Sequence, residues 1–180
     1  MILTNAMRET VARDAVNAAF DERRKTLAEV EAALALKLYC LFVPAVNREL
    51  MAKLPDNYFA TRTEIEANVG GRHIKLVASV PCKVPYAKSG GRIGTLLPDD
   101  PMTIAIDEHL RNKATLAEDE KKARAVLDAM LKSVTTVEKL RALWPDGEPH
   151  YRNLAPKATA TVPALIVEDV NRMLGLPKAA

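Results

Sequence analysis

Long apolar runs are missing from this chain, cysteine and histidine are scarce, and acidic residues are absent between Ala67 and Leu97. Each absence excludes something. Nowhere do eighteen apolar residues follow one another, and charge interrupts every short apolar run from Met1 to Asp14, so neither a membrane span nor a secretory leader is expected. Cys40 and Cys82 are too far apart for a CxxC redox or zinc motif, and two thiols make no disulfide framework, which favours a cytoplasmic setting. His73, His109 and His150 fit no close ligand spacing, so no metal and no cofactor is expected. The 180 residues include only 7 glycines and 8 aromatics against 28 alanines. Alanine loses no side-chain entropy in a helix, so helix is the default expectation.

The apolar pattern bears this out along most of the chain. From Asn5 to Phe42, Val16, Phe20, Leu27, Val30, Leu34, Leu38 and Leu41 recur at helical spacings, which predicts one long amphipathic helix or two in tandem. Phe20, Leu27, Leu34 and Leu41 also stand at seven-residue steps, the spacing of a seam for a partner helix or a second copy, although flanking alanines widen the stripe toward an ordinary core face. Pro44 is placed to open a second helix reaching Lys53. Asp99-Asp100-Pro101 signals a helix start, with a long helix to Val134 broken near Ala114-Thr115. Thr135 and Glu138 read as a capping box for a short helix ending at Trp144-Pro145, and a last helix runs from Pro163 to Leu174 before Gly175. Trp144 reads as a core anchor.

One region differs. Thr63 to Val80 alternates polar and apolar residues about Gly70-Gly71, the two-residue turn of a tight hairpin. Pairing across that turn sets Ala67 opposite Ile74 and Ile65 opposite Leu76 on one face, with Glu66 opposite Lys75 and Asn68 opposite His73 on the other. A third strand near Lys83–Tyr86 would be confined to an edge by Pro81 and Pro85. Lys88 to Thr95, with three glycines, reads as a surface loop. The expected fold is α+β, predominantly long helices packed with a small antiparallel hairpin or sheet. It forms one domain over 1–180, with a helical part 5–53, a hairpin and basic loop 58–97, and a helical part 100–176.

Net charge is +3, too mild alone to imply a polyanionic partner. Its distribution says more. Arg72, Lys75, Lys83, Lys88 and Arg92 put +5 into the acid-free segment, leaving −2 for the remainder. Such a segment can lay cations and backbone amides along phosphates, and Tyr86 can stack on an exposed base. The alternatives are a solvated patch or one that pairs with acids of the same fold. Ser89 to Gly94 falls short of a dinucleotide fingerprint and lacks the GK[ST] of a phosphate loop. Cys40 reads as a buried small hydrophobe, Cys82 sits in a basic setting that could lower its pKa, and Asp107 and His109 read as decoration of a solvated face. No catalytic residue is assigned.

The long Ala-rich first helix, the Pro44 turn, Leu54-Pro55 before the hairpin, Val84-Pro85-Tyr86, Val137 to Trp144-Pro145, Pro163-Ala164-Leu165 and Asn171 to Pro177 together resemble a small tailed-phage family, the fifth of the nucleotide-modification-associated domains. The resemblance implies a phage or prophage origin and a context of DNA metabolism, and brings no established active-site residues. The function expected first is therefore a non-enzymatic accessory binding DNA, or a phage or host protein of DNA processing, through Arg72 to Arg92. A virion or interaction protein assembling through Phe20, Leu27, Leu34 and Leu41, as a homo-oligomer or on a partner, is the alternative. A nucleotide-modification enzyme with an unrecognised site is the third.

Overall fold

The structure is a computed structural model that describes residues 1–55, 59–85, 92–154 and 165–175. It has an α+β fold whose chain divides into two compact units, Met1–Arg23 with Thr115–Ala180, and Arg24–Ala114. Helix α1 (Asn5–Phe42) and helix α3 (Pro101–Ser133) each contribute residues to both. Helix α1 is a single continuous helix. The break expected at Ala114-Thr115 is absent: neither residue removes a backbone donor as proline would, and one β-branched threonine costs only a fraction of a kcal/mol, about 0.7 at most.

The Arg24–Ala114 unit holds the sheet. After α2 (Ala45–Lys53), with Pro44 at its N-cap rather than inside its first turn, come β1 (Phe59–Val69), β2 (Arg72–Pro85) and β3 (Arg92–Leu96). The hairpin forms in the expected register, with Ala67 opposite Ile74, Ile65 opposite Leu76, Glu66 opposite Lys75 and Asn68 opposite His73. Gly70 and Gly71 both take positive φ, 54° and 80°, which the connecting turn requires and which L side chains resist.

Two features differ from expectation. No third strand begins near Lys83, because β2 itself runs on to Pro85. The third strand is Arg92–Leu96, read above as loop, and it runs parallel to β1. It takes the free side of β1, giving the order β2-β1-β3, and the Leu96 carbonyl accepts the Gly70 N–H at 3.1 Å. Gly94 is needed there because a Cβ would fall inside the Phe42 ring. Pro81 is harmless because β2 is an edge strand. Between Arg62↔Cys82 and Glu64↔Val77 the register slips, with five steps on β2 against two on β1. Leu34, Leu38, Tyr39, Ile65, Ala67, Leu76, Ala78, Val84 and Ile106 belong to the core on the inner face. Helix α3 starts where expected, the Asp100 carboxylate accepting the Met102 N–H at 2.7 Å.

The other unit is helical, with α4 (Val137–Leu143), a one-turn α5 (Glu148–Tyr151) and α6 (Leu165–Leu174). Arg8 donates from Nε and Nη2 to the carbonyls of Leu131 and Val134, each at 2.9 Å, pinning the end of α3 and the residue that follows it. The cap of α4 is Thr136, not Thr135; it accepts the Lys139 N–H, while Glu138 turns to the Met1 amino group. Trp144 is the anchor expected. It is fully buried, donates from Nε1 to Asn171 at 3.0 Å, and its carbonyl accepts the Tyr151 hydroxyl. Asn171 in turn donates to Asp146, and the His150 ring stacks on the indole with centroids 5.9 Å apart.

Candidate nucleic-acid interface

Strand alternation decides where the basic residues point. On β2, Ile74, Leu76, Ala78, Cys82 and Val84 face the core side, so Lys75 and Lys83 stand on the outer side, with Lys83 half-buried. Arg92 is exposed and stands beside Glu66 on the opposite flank from Lys75, giving the row Lys75–Glu66–Arg92 across the three strands. Arg72 belongs to the other set, and its guanidinium bonds Asp107 on α3. The structure thus brings Lys75, Lys83 and Arg92 to one face, sets Arg72 apart from them, and leaves Tyr86 and Lys88 outside the described residues.

That outer face is not free of acid. Glu66 lies at its centre, with Lys75 Nζ at 3.2 Å, His73 Nε2 at 2.9 Å and Arg62 Nη1 at 3.9 Å. The Lys75 ammonium holds the Glu66 carboxyl below its usual range; partial burial opposes this, and His73 adds to it. Lys75 also lies 3.8 Å from Glu64. Arg62, Lys75, Lys83 and Arg92 against Glu64 and Glu66 leave the face at +2 with His73 neutral. Thr61, Thr63, Glu64, His73, Lys75, Val77 and Thr95 are all exposed, so the face is open.

A second polar cluster escaped the sequence reading. Glu31 of α1 is 8% exposed; its Oε1 accepts the backbone N–H of Val77 at 3.2 Å and its Oε2 binds Lys113 Nζ at 2.8 Å. His109, 2% exposed, brings Nε2 to 3.4 Å from the same oxygen without hydrogen-bond geometry. Burial pushes the Glu31 carboxyl up, but Lys113, the Val77 amide and His109 together outweigh it and hold it below the usual range. Asp107 and His109 therefore part company: Asp107 lies on the solvated side of α3, where it pairs with Arg72, whereas His109 is buried. Glu31 precedes Leu34, Ala35 and Leu38 at helical spacing, and His109 lies between Ile106 and Leu116 on the inner stripe of α3. That periodicity was the available signal.

The remaining candidates are also redistributed. Phe20 and Leu34 are only 3% and 7% exposed and are used up by the chain's own core, Leu27 is half-buried, and Leu41 is 53% exposed, so the four do not form a common open seam. Seven-residue steps drift around a straight helix by about 20° per heptad, which lets the two ends of the series face differently. The cysteines exchange the environments expected of them. Cys40 is exposed beside Arg48, while Cys82 is buried on the inner face, and burial pushes its thiol up rather than down. No group of three metal-ligating side chains occurs among the described residues, and no described helix is long and apolar enough to cross a membrane.

These features define a mainly helical α+β protein whose small sheet presents a moderately basic outer face. The chain belongs to the family described as nucleotide modification associated domain 5, whose model matches residues 3–177. No curated protein and no solved structure matches it.

Proposed function

We propose that the chain is a non-enzymatic accessory of nucleotide modification that holds nucleic acid against the outer face of its sheet. The family supports the setting of nucleotide modification; a phage or prophage origin belongs to the proposal. The observation that carries the binding is the convergence of Lys75, Lys83 and Arg92, joined by Arg62, on one open face. The ion pairs there do not forbid contact: the Lys75 side chain is itself half exposed, and a phosphate can take the place of a carboxylate as the partner of its ammonium. Each phosphate bound releases condensed counterions, so affinity should fall steeply with salt. Measured against log salt, Lys75→Ala and Arg92→Ala should each flatten the slope by roughly 0.7–0.9. Absence of binding to both duplex and single-stranded DNA at low salt would end this reading.

A second reading, docking to a protein partner or to another copy, rests on Val46 and Leu50, one turn apart on α2, which are exposed together with Leu54 just past its end and Leu41. Sedimentation of the wild type and of Leu50→Glu tests it: association lost in the variant supports this reading, and a monomer at every concentration removes self-association.

A further inference from the structure

The start of β2 and the exposed side of α3 flank an open, shallow cleft of about 480 Å³, lined by Arg72, Ile104, Asp107, Leu110, Arg111 and Ala114. That volume falls among those typical of small-molecule sites. The five α3 residues recur at steps of three and four, so they share one helix face. Ile104 is 56% exposed, Leu110 rests partly on the core and Ala114 lies in the open, which makes a low apolar shelf. At the edge of the shelf Arg72 bonds the Asp107 carboxylate.

The chemistry of that edge is specific. A guanidinium has five N–H donors and no acceptor, and an ionised carboxylate only accepts. One contact between them uses a fraction of either, so the pair can still offer donors beside acceptors. A nucleobase presents the complementary arrangement along its Watson–Crick edge, donor next to acceptor, on a flat ring that suits an apolar shelf. In a duplex that edge is occupied by the partner base. Proteins that read a single extruded base use this combination of edge hydrogen bonds and an apolar face.

We propose that this cleft receives one unpaired nucleobase, its ring on Ile104, Leu110 and Ala114, its Watson–Crick edge on Arg72 and Asp107. Arg111, one turn beyond Asp107, brings a positive charge near the phosphate of that nucleotide. The proposal rests on the nucleic-acid reading above and gives Arg72, which stands apart from the sheet-face cations, a separate role.

The test is a titration of guanosine 5′-monophosphate, and of its 1-methyl analogue with a blocked edge, into the isotopically labelled full chain, followed by amide resonances. Binding should move Arg72 and residues 104–114, and blocking the edge should weaken it roughly 5- to 150-fold, the worth of a good two-point base contact. Asp107→Asn should weaken it comparably. Ile104→Ala, a half-exposed change that does not threaten folding, should weaken it without touching the ion pair. Equal affinity for the blocked and unblocked nucleotides, or shifts confined to Lys75 and Arg92, would overturn the proposal. Nucleotide binding at the cleft with no salt-dependent DNA binding by the sheet would uphold it while ending the sheet-face reading.

Discussion

In the Arg24–Ala114 unit two buried carboxylates tie elements together: Glu31 joins α1 to the edge of β2 and to α3, and Glu66 gathers three cations on the sheet. In the unit of Met1–Arg23 and Thr115–Ala180 the corresponding work falls to Trp144, whose ring and carbonyl collect Asn171, Tyr151 and His150 around a hydrophobic anchor. An aromatic anchor derives most of its effect from buried area and responds little to pH, whereas a buried carboxylate depends on its ionised form. The two units should therefore fail under different conditions.

The largest effect expected is from Trp144→Ala, about 3–5 kcal/mol by denaturant unfolding, with amide protection lost first in α4 and α6. Protection lost first in the hairpin would break the comparison. Leu34→Ala should cost about 2–5 kcal/mol and Leu41→Ala within about 0.5, because only the first side chain is buried. Equal costs at the two positions would mean that Leu41 is covered in solution.

Glu31→Gln should cost about 1–3 kcal/mol near neutral pH, since it weakens two hydrogen bonds to a buried carboxylate. Because the folded protein holds Glu31 and Glu66 below the ordinary 4.5, their stabilisation is complete above that value and disappears as pH falls through their folded values. Stability measured from pH 6 to 3 should fall less steeply in Glu31→Gln than in the wild type. The smallest effect belongs to His150, which burial pushes below 6.5 against the opposing charge of Asp14. Its contribution is complete above 6.5 and is lost as pH falls through the depressed value, so His150→Phe should flatten the stability profile between pH 7 and 5.

The hairpin was readable because its determinants are local: the alternation, the paired glycines and the Glu66–Lys75 match all lie within twenty residues. The Asp100 start of α3 and the Trp144 anchor were readable for the same reason. Strand β3 was not, because glycines that suggest a loop here serve a close approach to Phe42, a partner some fifty residues away in the chain. The division of the cations between faces follows from alternation, yet Arg72's turn toward Asp107 depends on where α3 packs. Cys82 was not legible from alternation, because the count from Leu76 passes through the exposed Val80 and the register slip that precedes Cys82. Cys40 could have been placed outward once Leu34, Ala35, Leu38 and Tyr39 fixed the buried side of α1.

The Gly94–Phe42 contact ties two distant positions into a single unit of variation. Any side chain at position 94 is tolerable only if the residue at 42 has first given up its ring, and a smaller residue at 42 with glycine kept leaves a void against β3. Drift at either site is thus expected to be blocked singly and open only in steps taken together: Gly94→Ala should be rejected alone and rescued by Phe42→Ala, which removes every ring atom the new Cβ would meet, a compensation detectable in a paired mutational scan.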